Sequence, residues 1–593
     1  MSSAFEHRRT KIIATVGPAS RKKSSLEALI KAGVDVFRLN MSHGSGREHG
    51  PVLRRIRDIA TASNANVAIL MDLSGPKIRV GELPSGGILL RDGARIRLDS
   101  DPANPGTRDR VGVNWPGLFS ACRPGSRLLL DDGNLELQVE STGPDHALAR
   151  VLRGGNLTAR KGLILPGATA GLPTLTEKDH RDLAFGVRAG VDLIAVSFVN
   201  RAQDLRDVRA ALEKFDAQIP LVAKIETALS LENLEEITEA ADGIMVARGD
   251  LGIETPIEEI PLAQKRILRT SRAGSKPCIV ATQILESMIE RSRPTRAEVT
   301  DIANAVLDGA DALMLSAETA VGKHPVEATH TLRRTIERVE PETPIWADDD
   351  HWTRLRGVAV EAFGRATRVI ARDLGADAIM ALTTSGRTAR CLASFLPSAP
   401  ILAAVSDAKK ARQLAIVRGV FPVTVNSRGT ATAAIRAAIR AAQSAGFVSV
   451  GDLLVITAGT PTGLSGSTNT ITVQIVGGFY LRGYGAGSKQ LAAGTITRLP
   501  VAGKAPWVAL VEELTPALAK SLRGCVGVIS ARGGPATPGA RLAEELGIPA
   551  VLGIPSAGER LTPGDRVTLD SDRGLVRVIL ESPGGSDQDA GEN

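Results

Sequence analysis

The chain has 593 residues, 43% of them apolar, 23% charged and only 3% aromatic, with a formal net charge of +7. That length calls for several domains with sizeable cores, and the lack of any uninterrupted apolar run of about 18 residues excludes a helical membrane span. The positive balance comes without compact Lys/Arg tracts interleaved with aromatics, which argues against a nucleic-acid partner and for a basic surface that also draws in small anionic substrates.

The opening "MSSAFEHRRTK" lacks the apolar core of a signal peptide, so export is not expected and a cytoplasmic location is. Cys122, Cys278, Cys391 and Cys525 are scattered without metal-type spacing, which suits a reducing compartment and predicts no disulfide. From residue 11 to about 320, short apolar runs alternate with longer helical patterns, the signature of βα units. The expected strands are "KIIATVG", "VDVFRLNMS", "AILMDLSG", "DLIAVSFV", "PLVAKIE", "GIMVARGD", "PCIVATQ" and "DALMLSAE", and eight is the number that closes a (β/α)8 TIM barrel. The α/β fold expected is therefore such a catalytic barrel over 1–75 and 171–345.

Residues 76–170 interrupt it with Gly, Pro and short Val/Leu strands such as "SRLLLDDGNLELQV", expected as an inserted β-barrel domain that forms a lid on the catalytic face. After "VEPETPIWADDD" a fresh α/β pattern over 350–477 begins with a long amphipathic helix. The Gly-rich "GGFYLRGYGAGSKQ" reads as a linker into a small extra domain over 484–580, and 581–593 as a disordered tail.

In a parallel barrel the βα loops build the site where strands end. The polar residues follow that rule: Arg38, Asn40 and Ser42 after the second strand, Asp72 after the third, Lys224 and Glu226 on the fifth, Asp250 after the sixth, Thr282 after the seventh, Ser316 and Glu318 after the eighth. A structural salt bridge would account for one isolated pair, but not for polar groups strand after strand. Glu226 and Asp250 fall on adjacent strands and can converge on one hard cation. With no His or Cys nearby, the expectation is Mg2+ or Mn2+ completed by substrate oxygens and water. Lys224, on the same face as Glu226, would project into the same pocket toward an anion.

These stretches, together with "KIIATVGPAS", "FRLNMSHG", "MDLSGPKIR", "KGLILPG", "LTEKD", "SFV", "VAKIET", "MVARGDLGIE", "ATQILESM", "RPTRAEVTDIANAVLDGADALMLSAETA" and "TTSGRTAR", resemble the pyruvate kinases in order and spacing from residue 10 to about 476. The resemblance implies transfer of the phosphoryl group of phosphoenolpyruvate to ADP, giving pyruvate and ATP. It implies that Glu226 and Asp250 bind the divalent metal and that Lys224 stabilises charge on the phosphoryl group and the enolate oxygen. It puts Gly249, Asp250 and Thr282 around the substrate carboxylate, with Thr282 on the proton path, although its hydroxyl also suits an ordinary helix cap. Arg38 and Arg79 are implied to contact phosphate, and Arg38, Asn40, Ser42, His43 and Lys161 to lie near the nucleotide. The family also implies a homotetramer.

Many relatives that require potassium carry Glu where Lys77 stands and Thr where Leu73 stands. Around Asn40, Ser42, Asp72 and Leu73, the Lys77 ammonium would thus replace K+, unless it is a plain surface lysine; turnover without potassium is expected. Ala317 stands where Gly is usual, a small packing change. Thr383, Thr384, Ser385, Gly386, Arg387 and Thr388 form a loop of donors where pyruvate kinases bind phosphorylated effectors, so allosteric activation by such a metabolite is expected; a solvated turn is the alternative.

"RGGPATPGARLAEELGIPAVLGI" is similar to the swivelling phosphohistidine domain of phosphoenolpyruvate-utilising enzymes, but Pro538 occupies the histidine position and no histidine follows His351. That chemistry is excluded, leaving a structural, tetramer-stabilising or regulatory role, and deletion of 484–593 is expected to spare the chemistry. Two rival readings explain less of the sequence. A Mg2+-dependent carbon–carbon lyase explains the barrel and its charges but not "FRLNMSHG" or the inserted domain. A non-catalytic metabolite sensor requires a broken catalytic set, and no matched position is broken.

Overall fold

The computed structural model describes residues 8–131, 133–166, 173–343, 359–425, 430–459, 468–488, 490–499 and 506–579. The tail expected over 581–593, and the "VEPETPIWADDD" boundary from residue 344 onward, lie outside them. The chain divides into two compact units, one holding 8–354 and 412–418, the other 355–411 and 419–593.

In the first unit, β1 (Lys11–Thr15), β2 (Val36–Asn40), β3 (Ala68–Asp72), β4 (Leu193–Val196), β5 (Leu221–Ile225), β6 (Gly243–Ala247), β7 (Cys278–Ala281) and β8 (Ala312–Leu315) pair in parallel. They close into a barrel in the order β1-β8-β7-β6-β5-β4-β3-β2, as the sequence pattern implies. Runs such as "AILMD" and "LVAKI" are buried at every position because strands of a closed parallel barrel have side chains inside and helices outside.

Caps set where the surrounding helices begin. Thr176 accepts from the Asp179 amide, and the Asp179 carboxylate accepts from the Thr176 amide at 2.9 Å, satisfying two otherwise orphan donors; Thr295 and Glu298 do the same. Register then aligns the strand ends: Thr15 lies opposite Arg38, Asn40 and Ala195 both opposite Asp72, and Ala247 opposite Ala281.

The chain leaves the barrel after β3 through Gly75, whose φ of +63° and close approach to Ser197 (2.9 Å from an added Cβ) require glycine. The inserted region forms a six-stranded sheet over Arg95–Asp99, Arg110–Gly112, Arg127–Leu130, Leu135–Thr142, His146–Arg153 and Leu163–Ile164. A two-stranded sheet of Ile88–Leu90 and Gly155–Leu157 accompanies it. Its own core includes Leu98, Val111, Leu128, Leu137 and Leu157. Residues 412–418 pack with the barrel, Arg418 donating to Thr10 Oγ1 at 2.7 Å and Arg412 to Asp192 Oδ1 at 2.8 Å.

In the second unit, described residues form one sheet of thirteen strands. It runs from Val420–Thr424 through Ile401–Val405, Ala378–Leu382, Leu453–Gly459, Thr468–Ile475 and Gly478–Arg482, then into Leu575–Ile579 and the C-terminal strands, ending at Tyr484–Ala486. The stretch "GGFYLRGYGAGSKQ" is therefore no linker. Gly478–Arg482 pairs antiparallel with Leu575–Ile579, and Tyr484–Ala486 with Ala550–Leu552. Its glycines mark close backbone approach, since a Cβ on Gly478 would strike the Val578 carbonyl and one on Gly485 the Ser571 carbonyl. Arg577 ties the two parts of this sheet together, donating to Asp377 Oδ2 at 2.6 Å and to the Gly375 carbonyl at 3.1 Å. Leu453, Ile475 and Leu575 share a small core beneath it.

Among the described residues no helix is long and apolar enough to cross a membrane. Among the described residues the four cysteines form no disulfide, and burial pushes the Cys122 thiol up to about 11 and Cys278 to about 12.

Candidate active site

Side chains alternate along a strand, so Lys224 and Glu226 leave the end of β5 on one face. The Lys224 ammonium donates to Ser197 Oγ at 2.8 Å and lies 2.7 Å from Glu226 Oε1 and 3.4 Å from Asp72 Oδ1. Ser197 Oγ in turn donates a hydrogen bond to the Leu73 carbonyl at 2.7 Å. Asp72 also meets Arg38, whose Nε and Nη2 both stand 2.7 Å from Oδ2, while Nη1 donates to Thr15 Oγ1 at 3.1 Å. The second Glu226 oxygen accepts the Phe198 amide at 2.8 Å. Asp72, Glu226 and Lys224 are 1%, 2% and 9% exposed, so these charges interact with little screening by water.

The electrostatics are those of a site with more anions than cations. Burial alone would push the Lys224 ammonium down, but Asp72, Glu226 and Asp250 together lift it well above its ordinary value. Burial likewise opposes ionisation of Asp72, yet Lys224 and Arg38 hold that carboxyl below the usual range. For Glu226, burial, reinforced by the neighbouring Asp250 carboxylate, outweighs Lys224 and raises the carboxyl. A cation between Glu226 and Asp250 would reverse that rise, and two hard carboxylate donors suit a divalent ion that keeps water and substrate oxygens. Among the described residues no three His, Cys, Asp or Glu converge on one point.

On the far side, the helix Arg248–Glu254 starts where β6 ends and carries Gly249 and Asp250 in its first turn. The Gly249 amide donates to Thr282 Oγ1 at 2.9 Å, and that hydroxyl donates to the Ala281 carbonyl at 2.7 Å. The Thr282 hydroxyl thus serves a first-turn amide of that helix from outside it, while its own backbone sits in the left-handed region with φ of 64°, as does Gln283 at 55°.

The remaining expected site residues have other partners. Asn40 Oδ1 accepts the Ser42 amide at 3.1 Å, His43 is exposed, and Leu73 is buried. Lys77 is exposed, with its ammonium 5.7 Å from the centre of the Phe198 ring. Arg79 donates to the Arg160 carbonyl at 2.8 Å, and the Lys161 ammonium lies 2.6 Å from Asp131 Oδ1, both within the inserted region. In the second unit, Thr383 Oγ1 accepts the Gly386 amide at 3.0 Å ahead of the helix Arg387–Ser394. Thr384, Ser385 and Arg387 are exposed, whereas Thr388 is buried with its hydroxyl 2.8 Å from that of Thr468. Glu318 is buried and accepts the Leu285 and Ser316 amides at 3.0 and 2.7 Å.

Sequence reasoning missed Ser197, Phe198, Thr15 and Arg248. The quoted motifs "KIIATVGPAS", "SFV" and "MVARGDLGIE" contain all four without giving them a role, and the partners of Arg248, Asp301 and Gln264, lie on other elements.

Comparison with known proteins bears on the family and the fold. The family model "Pyruvate kinase, barrel domain" matches residues 7–329, "Pyruvate kinase, alpha/beta domain" matches 361–474, and "PEP-utilising enzyme, mobile domain" matches 503–574. The chain is 38% identical over 582 residues to a pyruvate kinase of Geobacillus stearothermophilus, covering 96% of this chain and 98% of that one. It is 39% identical over 583 residues to pyruvate kinase 2 of a Synechocystis species, covering 96% and 97%. The crystal structure of a pyruvate kinase from Cryptosporidium parvum superposes with a TM-score of 0.74 at 34% identity, covering 79% of this chain and 96% of that one.

Proposed function

The chain belongs to the pyruvate kinase family of phosphotransferases, and from that premise we propose how its residues move a phosphoryl group from phosphoenolpyruvate to ADP. The observation that carries the reading is the buried Lys224 ammonium held between Asp72 and Glu226 at the mouth of the barrel. Phosphoryl transfer asks a protein mainly for positioning and charge neutralisation. Lys224 neutralises charge on the transferring group and on the enolate oxygen left behind, and its carboxylate neighbours keep it protonated. Arg38, oriented by Asp72, contacts the phosphoryl group with Arg79. The Gly249 and Asp250 amides, with Thr282, bind the substrate carboxylate. The Thr282 hydroxyl lies on the path by which the enolate is protonated to pyruvate. Asn40, Ser42, His43 and Lys161 attend the nucleotide.

Pyruvate kinases use a divalent metal. Glu226 and Asp250 would hold Mg2+ or Mn2+ here, and that ion supplies Lewis-acid polarisation of substrate oxygens. Lys77 stands in for a monovalent cation beside Asn40, Ser42, Asp72 and Leu73, so turnover needs no K+. What supports this is the Lys77 ammonium 5.7 Å from the ring centre of Phe198, whose amide binds Glu226. A phosphorylated metabolite binds at Thr383–Thr388 and activates the enzyme; the exposed Thr384, Ser385 and Arg387 at a helix start support that reading. The enzyme acts in the cytoplasm as a homotetramer. Formation of pyruvate from phosphoenolpyruvate and ADP with Mg2+ tests the reading, and a folded chain that forms none would overturn it.

A further inference from the structure

Arg248 takes no part in the cluster around Lys224, yet it is only 9% exposed and its guanidinium is bonded on two sides. On one side Nε donates to the carbonyls of Ala281 at 3.3 Å and Thr282 at 3.2 Å, and Nη2 to those of Thr282 at 2.6 Å and Gln283 at 3.1 Å. On the other, Nη1 donates to Asp301 Oδ2 at 2.6 Å, with Gln264 Oε1 at 3.5 Å.

Three consecutive carbonyls meet one cation at a turn where Thr282 and Gln283 are both left-handed. Neither is glycine, and crowding at Cβ disfavours that backbone unless the surroundings over-determine it. The same turn is held from its other face, because the amide of Gly249, the residue after Arg248, donates to Thr282 Oγ1. One short stretch, Arg248 to Asp250, thus grips the turn by its carbonyls, grips it again by its hydroxyl, and carries a carboxylate of the metal pair.

We propose that Arg248 is a positioning residue: it holds the Thr282–Gln283 turn in its left-handed form and so sets the Thr282 hydroxyl against the helix that bears Asp250, without touching substrate. The proposal rests on the roles given above to Thr282 and Asp250. Lysine cannot replace it, because a single ammonium cannot span three carbonyls and a carboxylate as a planar five-donor fork does.

The test compares Arg248→Met, Arg248→Lys, Thr282→Ala and the double variant Arg248→Met/Thr282→Ala in steady-state pyruvate formation, with thermal unfolding alongside. Arg248→Met is expected to lose about 100-fold in kcat, as small misplacements of reacting groups do, with KM for phosphoenolpyruvate changing far less. Arg248→Lys recovers little of that loss. The double variant loses no more than the worse single one, because both act through one hydroxyl. Losses that multiply, or an Arg248→Met enzyme with kcat close to the parent's, overturn the proposal. Should Arg248→Met not fold, Asp301→Asn takes its place in the same cycle, under the same criteria. Mn2+ binding, followed by the electron paramagnetic resonance of the free ion, needs no turnover: Arg248→Met or Asp301→Asn weakens it severalfold, and unchanged affinity overturns the link to Asp250. A parent chain that binds Mn2+ but forms no pyruvate sinks the functional reading, while the Mn2+ comparison still decides this one.

Discussion

The Lys224 ammonium lies 2.7 Å from a carboxylate oxygen of Glu226, two residues further along the chain at the end of β5, and both are buried. A buried ion pair seldom adds net stability, because desolvation offsets the attraction. The roles proposed above account for its retention: the lysine would face an anion and the glutamate a metal.

Replacing Lys224 by Met should lower kcat roughly 100-fold or more, the scale of comparable electrostatic groups. It should also destabilise the fold by about 3–5 kcal/mol at neutral pH, as expected when one partner of a buried pair is lost. Arg38 still faces Asp72, so the cost falls mainly on Glu226. Steady-state kinetics and urea unfolding measure both, and a variant with parental kcat would remove Lys224 from the mechanism.

Activity should be equal in potassium-free and potassium-containing buffer. The double change Lys77→Glu with Leu73→Thr restores the residues common in potassium-requiring relatives and should make turnover depend on K+. If the parent enzyme already requires K+, the role given to Lys77 is wrong.

Lys11, buried at the start of β1, has its ammonium pushed down to about 8 from 10.5 by burial, against the pull of Asp35. Between those values the unfolded chain holds a proton that the folded chain does not, so stability rises with pH through this window. The rise amounts to about 3 kcal/mol at most. Urea midpoints of the parent and Lys11→Met should diverge in slope between pH 8 and 10, the variant lacking the rise; parallel curves would refute it.

A phosphorylated sugar or nucleoside monophosphate should lower the half-saturating concentration of phosphoenolpyruvate. Arg387→Ala should abolish that shift while leaving kcat without effector unchanged. Activation that survives the substitution would move the effector elsewhere.

Deleting residues 484–593 should leave barrel chemistry measurable but destabilise the second unit, because Leu575–Ile579 pairs with Gly478–Arg482 and Arg577 binds Asp377. The milder change Arg577→Ala should lower the thermal midpoint by a few degrees without altering kcat, since a hydrogen bond to a charged group contributes about 1.5–3 kcal/mol. A truncated chain as stable as the parent would show that the shared sheet is dispensable.

Much of this protein is local enough to read along the chain. Eight apolar runs at βα spacing determined the barrel, and the polar residues closing most of those runs pointed to the rim, because a strand's period and its end are properties of neighbouring residues. Glycines were legible only as exceptions, and their meaning was not: in "GGFYLRGYGAGSKQ" they read as looseness, whereas the structure uses them where two backbones approach too closely for a Cβ.

The partners of each charge were decided only in three dimensions. That Lys224 reaches Ser197 and Asp72, and that Arg248 reaches Thr282 and Asp301, depends on strand register around a closed barrel. Sequence alone determined which residues have chemistry to offer. Barrel closure decided which of them meet, because a contact between residues far apart in the chain exists only once every intervening strand has found its place.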